Sequence, residues 1–144
     1  MEKVLFVCTH NSARSQMAEG FLRHYAGDRF EALSAGTDPA SLHRLAVHVM
    51  SELGIDISKH RAKALDTLLL EAFEYVITVC HDADEACPVF PNALRRVHWS
   101  FPDPSRAEST PGDRLAVFRA VRDAIGARVE QFLAVAGHEQ GRSP

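Results

Sequence analysis

Three side chains near the N-terminus have the types and spacing of a nucleophilic anion site. Cys8 follows the apolar run of residues 4–7, Arg14 comes six positions after it, and Ser15 adjoins Arg14. A planar guanidinium matches the oxygens of a tetrahedral oxyanion, and a cationic setting favours a thiolate over a thiol. The alternative is a buried cysteine and a surface arginine at chance spacing. Their place directly after an apolar strand favours a nucleophilic sulfur directed at a phosphate-like oxyanion.

The elements around these residues would complete the site. Residues 3–7 are predicted to form a buried strand, and residues 13–26 a helix that Gly27 ends. The N–H groups at a helix N-terminus and in a short inward-turning loop both attract anions. The predicted oxyanion-binding residues are therefore the loop and the first helical position, namely Thr9, His10, Asn11, Ser12, Ala13 and Arg14.

Further along the chain, strand and helix patterns alternate. Strands are predicted over residues 30–34, 75–79 and 97–99, and helices over 42–53, 65–73 and 114–136, with Ser58 capping one more helical stretch. Such alternation indicates a parallel sheet covered on both faces. We therefore expect an α/β fold, a single three-layer domain with a four-stranded parallel sheet and helices on both faces. Residues 1–136 would form this one catalytic domain, and residues 137–144 a frayed tail.

Chemically useful residues follow three of the predicted strands. Cys8 ends the first, Cys80 ends the third, and Asp103 comes shortly after the fourth. Ligands of open α/β sheets bind beyond the carboxyl ends of the strands. The order of the elements therefore predicts that these three residues converge on one edge of the sheet.

Asp103 lies between Pro102 and Pro104, in a loop that both prolines stiffen. A carboxyl group held over an oxyanion can protonate a leaving oxygen. Asp-Pro pairs are also common in ordinary turns. Together with Cys8 and Arg14, the pattern favours a general acid.

The two later cysteines, Cys80 and Cys87, are seven positions apart. In a helix their Cα atoms would be about 10 Å apart, whereas a disulfide needs roughly 4.4–6.8 Å. A bond between them therefore requires residues 81–86 to unwind or loop out, which suggests a redox switch. Two alternatives remain: cysteines as small buried hydrophobes, and a metal site with His81, which the spacing disfavours.

The segment from Cys8 to Gly20 resembles the low-molecular-weight tyrosine phosphatase superfamily, and within it the thioredoxin-coupled arsenate reductases. Other similar segments are residues 34–37, 54–58 and 98–99, the cysteine pair, Asp103-Pro104 and the last helix. The resemblance implies Asp103 as general acid, Ser15 as hydrogen-bond partner of the Cys8 thiolate, and Asn11 as a brace of the loop.

The resemblance also implies a relay of three cysteines. Cys8 attacks arsenate, Cys80 attacks Cys8 as arsenite leaves, and Cys87 takes Cys80 into a disulfide that thioredoxin, or another dithiol protein, reduces. Some relatives bind potassium through Asn11, Glu19 and side chains after residue 58. Here residues 60–63 are His-Arg-Ala-Lys, so Lys63 or Arg61 is expected to pair with Glu19, unless this is a solvated basic face.

The composition and the net charge argue against several other classes of protein. The chain has 144 residues, 46% of them apolar, and a net charge of −3, which gives no general attraction to nucleic acid or anionic membranes. No apolar run approaches the roughly 20 residues of a membrane helix, and no signal peptide is evident. We expect a cytoplasmic monomer without a cofactor or metal.

Two other functions compete with arsenate reduction. One is a phosphatase using Cys8, Arg14 and Asp103, and the other is a non-catalytic oxyanion-binding or redox-sensing module.

Overall fold

A central parallel sheet organises the chain. The computed structural model describes residues 1–80, 92–106 and 110–141. Its four described strands are β1 (Glu2–Cys8), β2 (Phe30–Gly36), β3 (Phe73–Thr78) and β4 (Ala93–His98), in the spatial order β2-β1-β3-β4. All neighbouring strands pair in parallel, which confirms the predicted fold class.

Strand β1 is buried on both faces because it lies inside the sheet. Val4 and Phe6 point to one apolar layer, and Leu5 and Val7 point to the other. Such two-sided burial explains the continuous apolar run in the sequence, since an alternating pattern would leave polar side chains inside.

Three α-helices and two 3₁₀ helices surround the described sheet. The α-helices are α1 (Arg14–Ala26), α2 (Arg44–Ser51) and α3 (Pro111–Gly141). Helices α1 and α3 contribute Phe21 and Phe118 to the larger apolar layer. The 3₁₀ helix Leu65–Leu68 packs against Leu5 and Val7 on the opposite face. The sheet is therefore covered on both faces.

The strand order places the functional edge between β1 and β3. The chain leaves β1 to one side for β2 and then crosses to the other side for β3. Ligands bind at such a reversal, beyond the carboxyl ends of the strands. Cys8 ends β1, and Cys80 follows β3 by two residues, so both lie at this reversal.

Several predicted boundaries are wrong, with physical reasons. Residues 69–73 are not helical, because Phe73 is buried and pairs with Ala93 as the first residue of β3. Ser58 caps no helix: its N–H donates to Asp56 Oδ1 in a turn. Helix α3 runs from Pro111 to Gly141, so the predicted helix bounds of 114 and 136 are too narrow at both ends. None of the described helices is both long and apolar enough to cross a bilayer.

Candidate active site

The loop between β1 and α1 is held from outside by its carbonyl groups. The carbonyl oxygens of Thr9, His10 and Ser12 accept hydrogen bonds of 2.8–2.9 Å from the main-chain N–H groups of residues 38, 40 and 43. Gln16 Nε2 donates to the Asn11 carbonyl at 3.1 Å, and the Met17 N–H to that of Ala13 at 2.8 Å. In a trans peptide the next N–H points opposite to the carbonyl. Each outward carbonyl therefore turns the following N–H toward the inside of the loop.

Asn11 shows the result of this arrangement. It has a positive φ of 51°, a conformation that Asn tolerates better than most residues. Its main-chain N–H donates to Cys8 Sγ at 3.2 Å. At least one N–H of the loop is therefore directed at the sulfur, and the outward carbonyls of residues 9–13 orient the N–H groups of residues 10–14 to the same side.

Ser15 is placed to donate its hydroxyl hydrogen to Cys8. Its Oγ lies 2.9 Å from Cys8 Sγ and accepts a hydrogen bond from Asn11 Nδ2 at 2.7 Å. The orientation of the Asn11 amide is fixed, because the Lys63 N–H, which can only donate, reaches Asn11 Oδ1 at 2.8 Å. With the Asn11 amide donating to Oγ, the Ser15 hydroxyl hydrogen is left available for the sulfur. A thiolate can only accept, so Ser15 is the donor whenever Cys8 is ionised.

Gly36 allows the loop to approach β2 closely. A Cβ atom at this position would lie 2.5 Å from the carbonyl oxygen of Thr9 and 2.9 Å from the N of Asn11. Both distances are shorter than van der Waals contact. From the sequence Gly36 stands out only as part of the family-like segment 34–37, and its close approach to the loop becomes visible in the folded chain.

Arg14 and Asp103 meet beside the loop. Arg14 is 3% exposed, and its Nη1 donates to the Phe101 carbonyl at 3.1 Å. Its Nη2 lies 3.7 Å from Asp103 Oδ2. The other oxygen, Asp103 Oδ1, accepts hydrogen bonds from the N–H and hydroxyl of Ser105 at 3.0 and 2.7 Å. The carboxylate is thus oriented with Oδ2 toward the guanidinium.

Cys80 lies at the same edge of the sheet as Cys8. The Val79 N–H donates to the Val7 carbonyl at 2.9 Å, and Cys80 Sγ is 3.9 Å from that same oxygen. Cys8 and Cys80 are 2% and 0% exposed, and neither forms a disulfide in this structure. Cys87 and His81 lie outside the described residues. Within the described ranges, no group of three metal-ligating side chains is found.

A buried carboxylate, Glu19, lies behind the loop. Its Oε2 is 3.0 Å from Arg23 Nη1 and 3.3 Å from His60 Nδ1, and its Oε1 is 3.8 Å from Lys63 Nζ. Ser34 donates its hydroxyl to Oε1 at 2.7 Å. Of the two expected partners, Lys63 therefore approaches Glu19, while the Arg61 carbonyl accepts from Lys63 Nζ.

These nitrogen groups do not fit a potassium site, which would need oxygen ligands. Burial lowers the pKa of Lys63 below its ordinary value, and the charge of Glu19 opposes this effect. Burial likewise lowers the pKa of His60 against the charge of Glu19. The carboxylate is balanced by side chains of the chain itself.

Two residues that support the loop were not singled out from the sequence as functional. Gln16 Nε2 donates to both the carbonyl and the side-chain oxygen of Asn11. The His43 N–H holds the Ser12 carbonyl. The His43 contact joins residues 31 positions apart, which no short motif marks. The Gln16 contacts are local, but they depend on the folded shape of the loop.

The loop of residues 9–13, Cys8, Arg14 and Asp103 thus lie together at the switch point of a parallel sheet. The family model of the low molecular weight phosphotyrosine protein phosphatases matches residues 3–141. The chain belongs to this family, which confirms the resemblance noted from the sequence.

Individual relatives are arsenate reductases by name. The arsenate reductase of Shouchella clausii is 46% identical over 129 residues, covering 90% of this chain and 93% of the relative. A solved arsenate reductase in a phosphate-binding state has a TM-score of 0.80 and 34% identity, covering 93% and 98% of the two chains. The thioredoxin-dependent arsenate reductase of Corynebacterium glutamicum has a TM-score of 0.74 and 30% identity, covering 96% of this chain and 63% of the other.

Proposed function

We propose that this protein is an arsenate reductase that reduces arsenate to arsenite through Cys8, Cys80 and Cys87, with thioredoxin as the reductant. The observation that carries the proposal is the position of Cys80 Sγ, 3.9 Å from the carbonyl oxygen of the residue before Cys8. A phosphatase needs no second sulfur at this position. The names of the relatives support the same substrate.

The first step is nucleophilic substitution at arsenic. Arsenate is held by the inward N–H groups of residues 10–14 and by the Arg14 guanidinium. The Cys8 thiolate attacks arsenic and forms an S–As bond, the As–O bond to an arsenate hydroxyl breaks, and this hydroxyl departs as water with one proton from Asp103 in its carboxylic acid form. Ser15 stabilises the thiolate before the attack.

The next steps transfer two electrons. The Cys80 sulfur attacks Cys8 Sγ, an S–S bond forms, and the electron pair of the S–As bond goes to arsenic, which leaves as arsenite. The Cys87 thiolate then attacks Cys80 Sγ, and Cys8 departs as a thiolate. The dithiol of thioredoxin reduces the Cys80–Cys87 disulfide by two exchange steps.

A phosphatase is the second candidate. The Cys8, Arg14 and Asp103 arrangement alone can transfer a phosphoryl group to Cys8 and then to water, and the family match supports a side activity of this kind. A non-catalytic oxyanion-binding or redox-sensing module is the third candidate, since it needs only the loop and the cysteine pair. We also retain the expectation of a monomeric, cytoplasmic protein whose residues 1–136 form one catalytic domain.

One comparison of activities separates these functions. We expect arsenate-dependent NADPH oxidation in the presence of thioredoxin and thioredoxin reductase, with one NADPH consumed for each arsenite formed. Aryl phosphate hydrolysis should be slow beside it. Fast hydrolysis without arsenate reduction would identify a phosphatase, and oxyanion binding without either reaction would identify a sensor.

A further inference from the structure

His43 connects three parts of the molecule that meet at the oxyanion loop. Its main-chain N–H donates to the Ser12 carbonyl at 2.8 Å. Its side-chain Nδ1 accepts from the Leu45 N–H at 3.1 Å and so caps α2. Its ring packs on Phe118 of α3, with 4.7 Å between the ring centroids. One residue therefore joins the loop, the start of α2 and the core face of α3.

The capping bond requires a particular form of the imidazole. Because Nδ1 accepts a hydrogen bond from a main-chain N–H, it carries a lone pair, and the proton of the neutral ring lies on Nε2. Protonation of Nδ1 removes the acceptor and leaves the Leu45 N–H unpaired. The cap is thus present only while the ring is neutral.

The charged groups that face His43 from the described elements have opposing effects on its pKa. Burial lowers the pKa of His43 below its ordinary value, and the charge of Asp103 opposes this shift. Arg44, the first residue of α2, and Arg114 on α3 lower the pKa further. The net effect keeps the ring neutral near pH 7.

The Ser12 contact links this cap to anion binding. The Ser12 carbonyl is one of the outward carbonyls, and its orientation turns the N–H of Ala13 into the loop. If the cap is lost, His43 is held to α2 only through the Val47 N–H, which donates to the His43 carbonyl at 3.2 Å, and the N–H that binds the Ser12 carbonyl is less firmly placed. The expected consequence is weaker binding of the oxyanion, while the reacting groups Cys8 and Asp103 remain in place.

We propose that His43 is a positioning residue for the oxyanion loop, which it holds in the binding conformation only as a neutral, α2-capping imidazole. The proposal rests on the proposed oxyanion site, and it goes beyond it by assigning substrate affinity to a residue outside the loop. It also makes oxyanion affinity sensitive to acidification.

The test compares three substitutions in the reduced protein. His43→Asn keeps a good N-cap that does not titrate, and His43→Ala removes the cap. His48→Ala is the matched control, because His48 lies on the same helix and is exposed. The readouts are KM and kcat for arsenate and the dissociation constant of inorganic phosphate, measured by titration calorimetry from pH 5.5 to 8.

At pH 7.5 we expect His43→Ala to raise KM and the phosphate dissociation constant about fivefold or more, a loss typical of a missing cap, with kcat changed less than twofold. His43→Asn should stay near wild type. Below pH 6.5 the ratio of the wild-type dissociation constant to that of His43→Asn should rise. The ionisation of phosphate affects both proteins equally, so it does not change this ratio. His48→Ala should follow the wild type throughout.

Unchanged phosphate affinity in His43→Ala, or a ratio that is flat with pH, would overturn the proposal. A drop in melting temperature without a change in affinity would show a purely structural cap, and this too would overturn it. If none of the proteins reduces arsenate, the proposed function fails, and the phosphate titrations still decide the role of His43.

Discussion

Cys80 Sγ lies 3.9 Å from the carbonyl oxygen of Val7, the residue that precedes Cys8. This contact exists because β1 and β3 are parallel neighbours, paired from Val4 with Tyr75 to Val7 with Thr78. The strand register therefore delivers a second sulfur to the edge of the sheet where the nucleophile lies. Attack of the Cys80 sulfur on Cys8 therefore becomes feasible without a large rearrangement of the sheet.

The role of Cys80 is tested by replacing it with serine. We expect Cys80→Ser to lose arsenate turnover by at least a hundredfold, because no sulfur remains to displace arsenite from Cys8. Hydrolysis of an aryl phosphate should stay within about threefold of wild type, since that reaction needs only the loop, Arg14 and Asp103. The two assays are run on the same preparation. Equal losses in both assays would indicate a structural role for Cys80.

The hydrogen bond from Ser15 to Cys8 is tested by chemical reactivity. Ser15→Ala removes the hydroxyl 2.9 Å from Sγ, and a hydrogen bond to a charged group contributes about 1.5–3 kcal/mol. We expect alkylation of Cys8 by iodoacetamide at pH 7 to slow roughly tenfold, measured on the Cys8 peptide by mass spectrometry. Ser15→Thr keeps the hydroxyl and should react nearly as wild type. Equal rates for all three proteins would refute this role.

Gly36 is expected to be needed for the shape of the loop. In Gly36→Ala the new Cβ would lie 2.5 Å from the Thr9 carbonyl oxygen, so the loop must move. We expect phosphate affinity to fall at least tenfold and the melting temperature to decrease. Gly112→Ala is the control, because a Cβ there meets nothing within 4 Å. Phosphate binding by Gly36→Ala that matches the control would show that the loop tolerates the displacement.

A salt bridge joins Glu52, the residue that follows α2, to α3 and gives a pH-dependent contribution to stability. Glu52 Oε2 accepts from Arg119 at 2.6 Å and Oε1 from Arg122 at 2.8 Å. Hydrogen bonding to Arg119, followed by the Arg119 charge and Arg122, lowers the pKa of Glu52 from 4.5 to about 2. Because the folded-state pKa is depressed, the stabilisation is complete above pH 4.5 and is lost as the pH falls toward 2.

We therefore expect Glu52→Gln to lower the free energy of unfolding at pH 7 and to match the wild type near pH 2. Urea unfolding at several pH values measures the difference. Asp28→Asn, at an exposed acid after α1, is the control and should show no comparable difference. A difference between Glu52→Gln and wild type that does not change with pH would contradict the salt-bridge account.

The sequence alone predicts the parallel sheet and the edge where the site lies. Residues 4–7 of β1 form a continuous apolar run, whereas β4 includes Arg95 and Arg96. Cys8 ends β1, Cys80 follows β3 by two residues and Asp103 follows β4 by five, so the order of the elements is enough to predict that they share one edge. The segment 65–73 shows where local pattern fails. Its leucines suit a helix, but pairing of Phe73 with Ala93 gains sheet hydrogen bonds and burial, and the helix is reduced to one 3₁₀ turn.

The contacts that hold the loop of residues 9–13 in place could not be predicted from the sequence. The bonds that orient Asn11 come from Gln16 and from Lys63, the latter 52 positions along the chain. The contact of His43 with Ser12 and the closeness of Gly36 to Thr9 depend on tertiary packing in the same way. The spacing of residues along the chain predicts which side chains react. The contacts that hold those side chains in place form between distant segments and are seen only in the folded chain.

The most direct test of the three-cysteine account is the stoichiometry of Cys87→Ser. With both Cys8 and Cys80 buried, thioredoxin has no access to a disulfide between them, and Cys87 is needed to move the oxidation to Cys80–Cys87. With excess arsenate, thioredoxin, thioredoxin reductase and NADPH, we expect about one arsenite per protein and a Cys8–Cys80 disulfide seen by peptide mass spectrometry. Many turnovers per protein in Cys87→Ser would contradict the account.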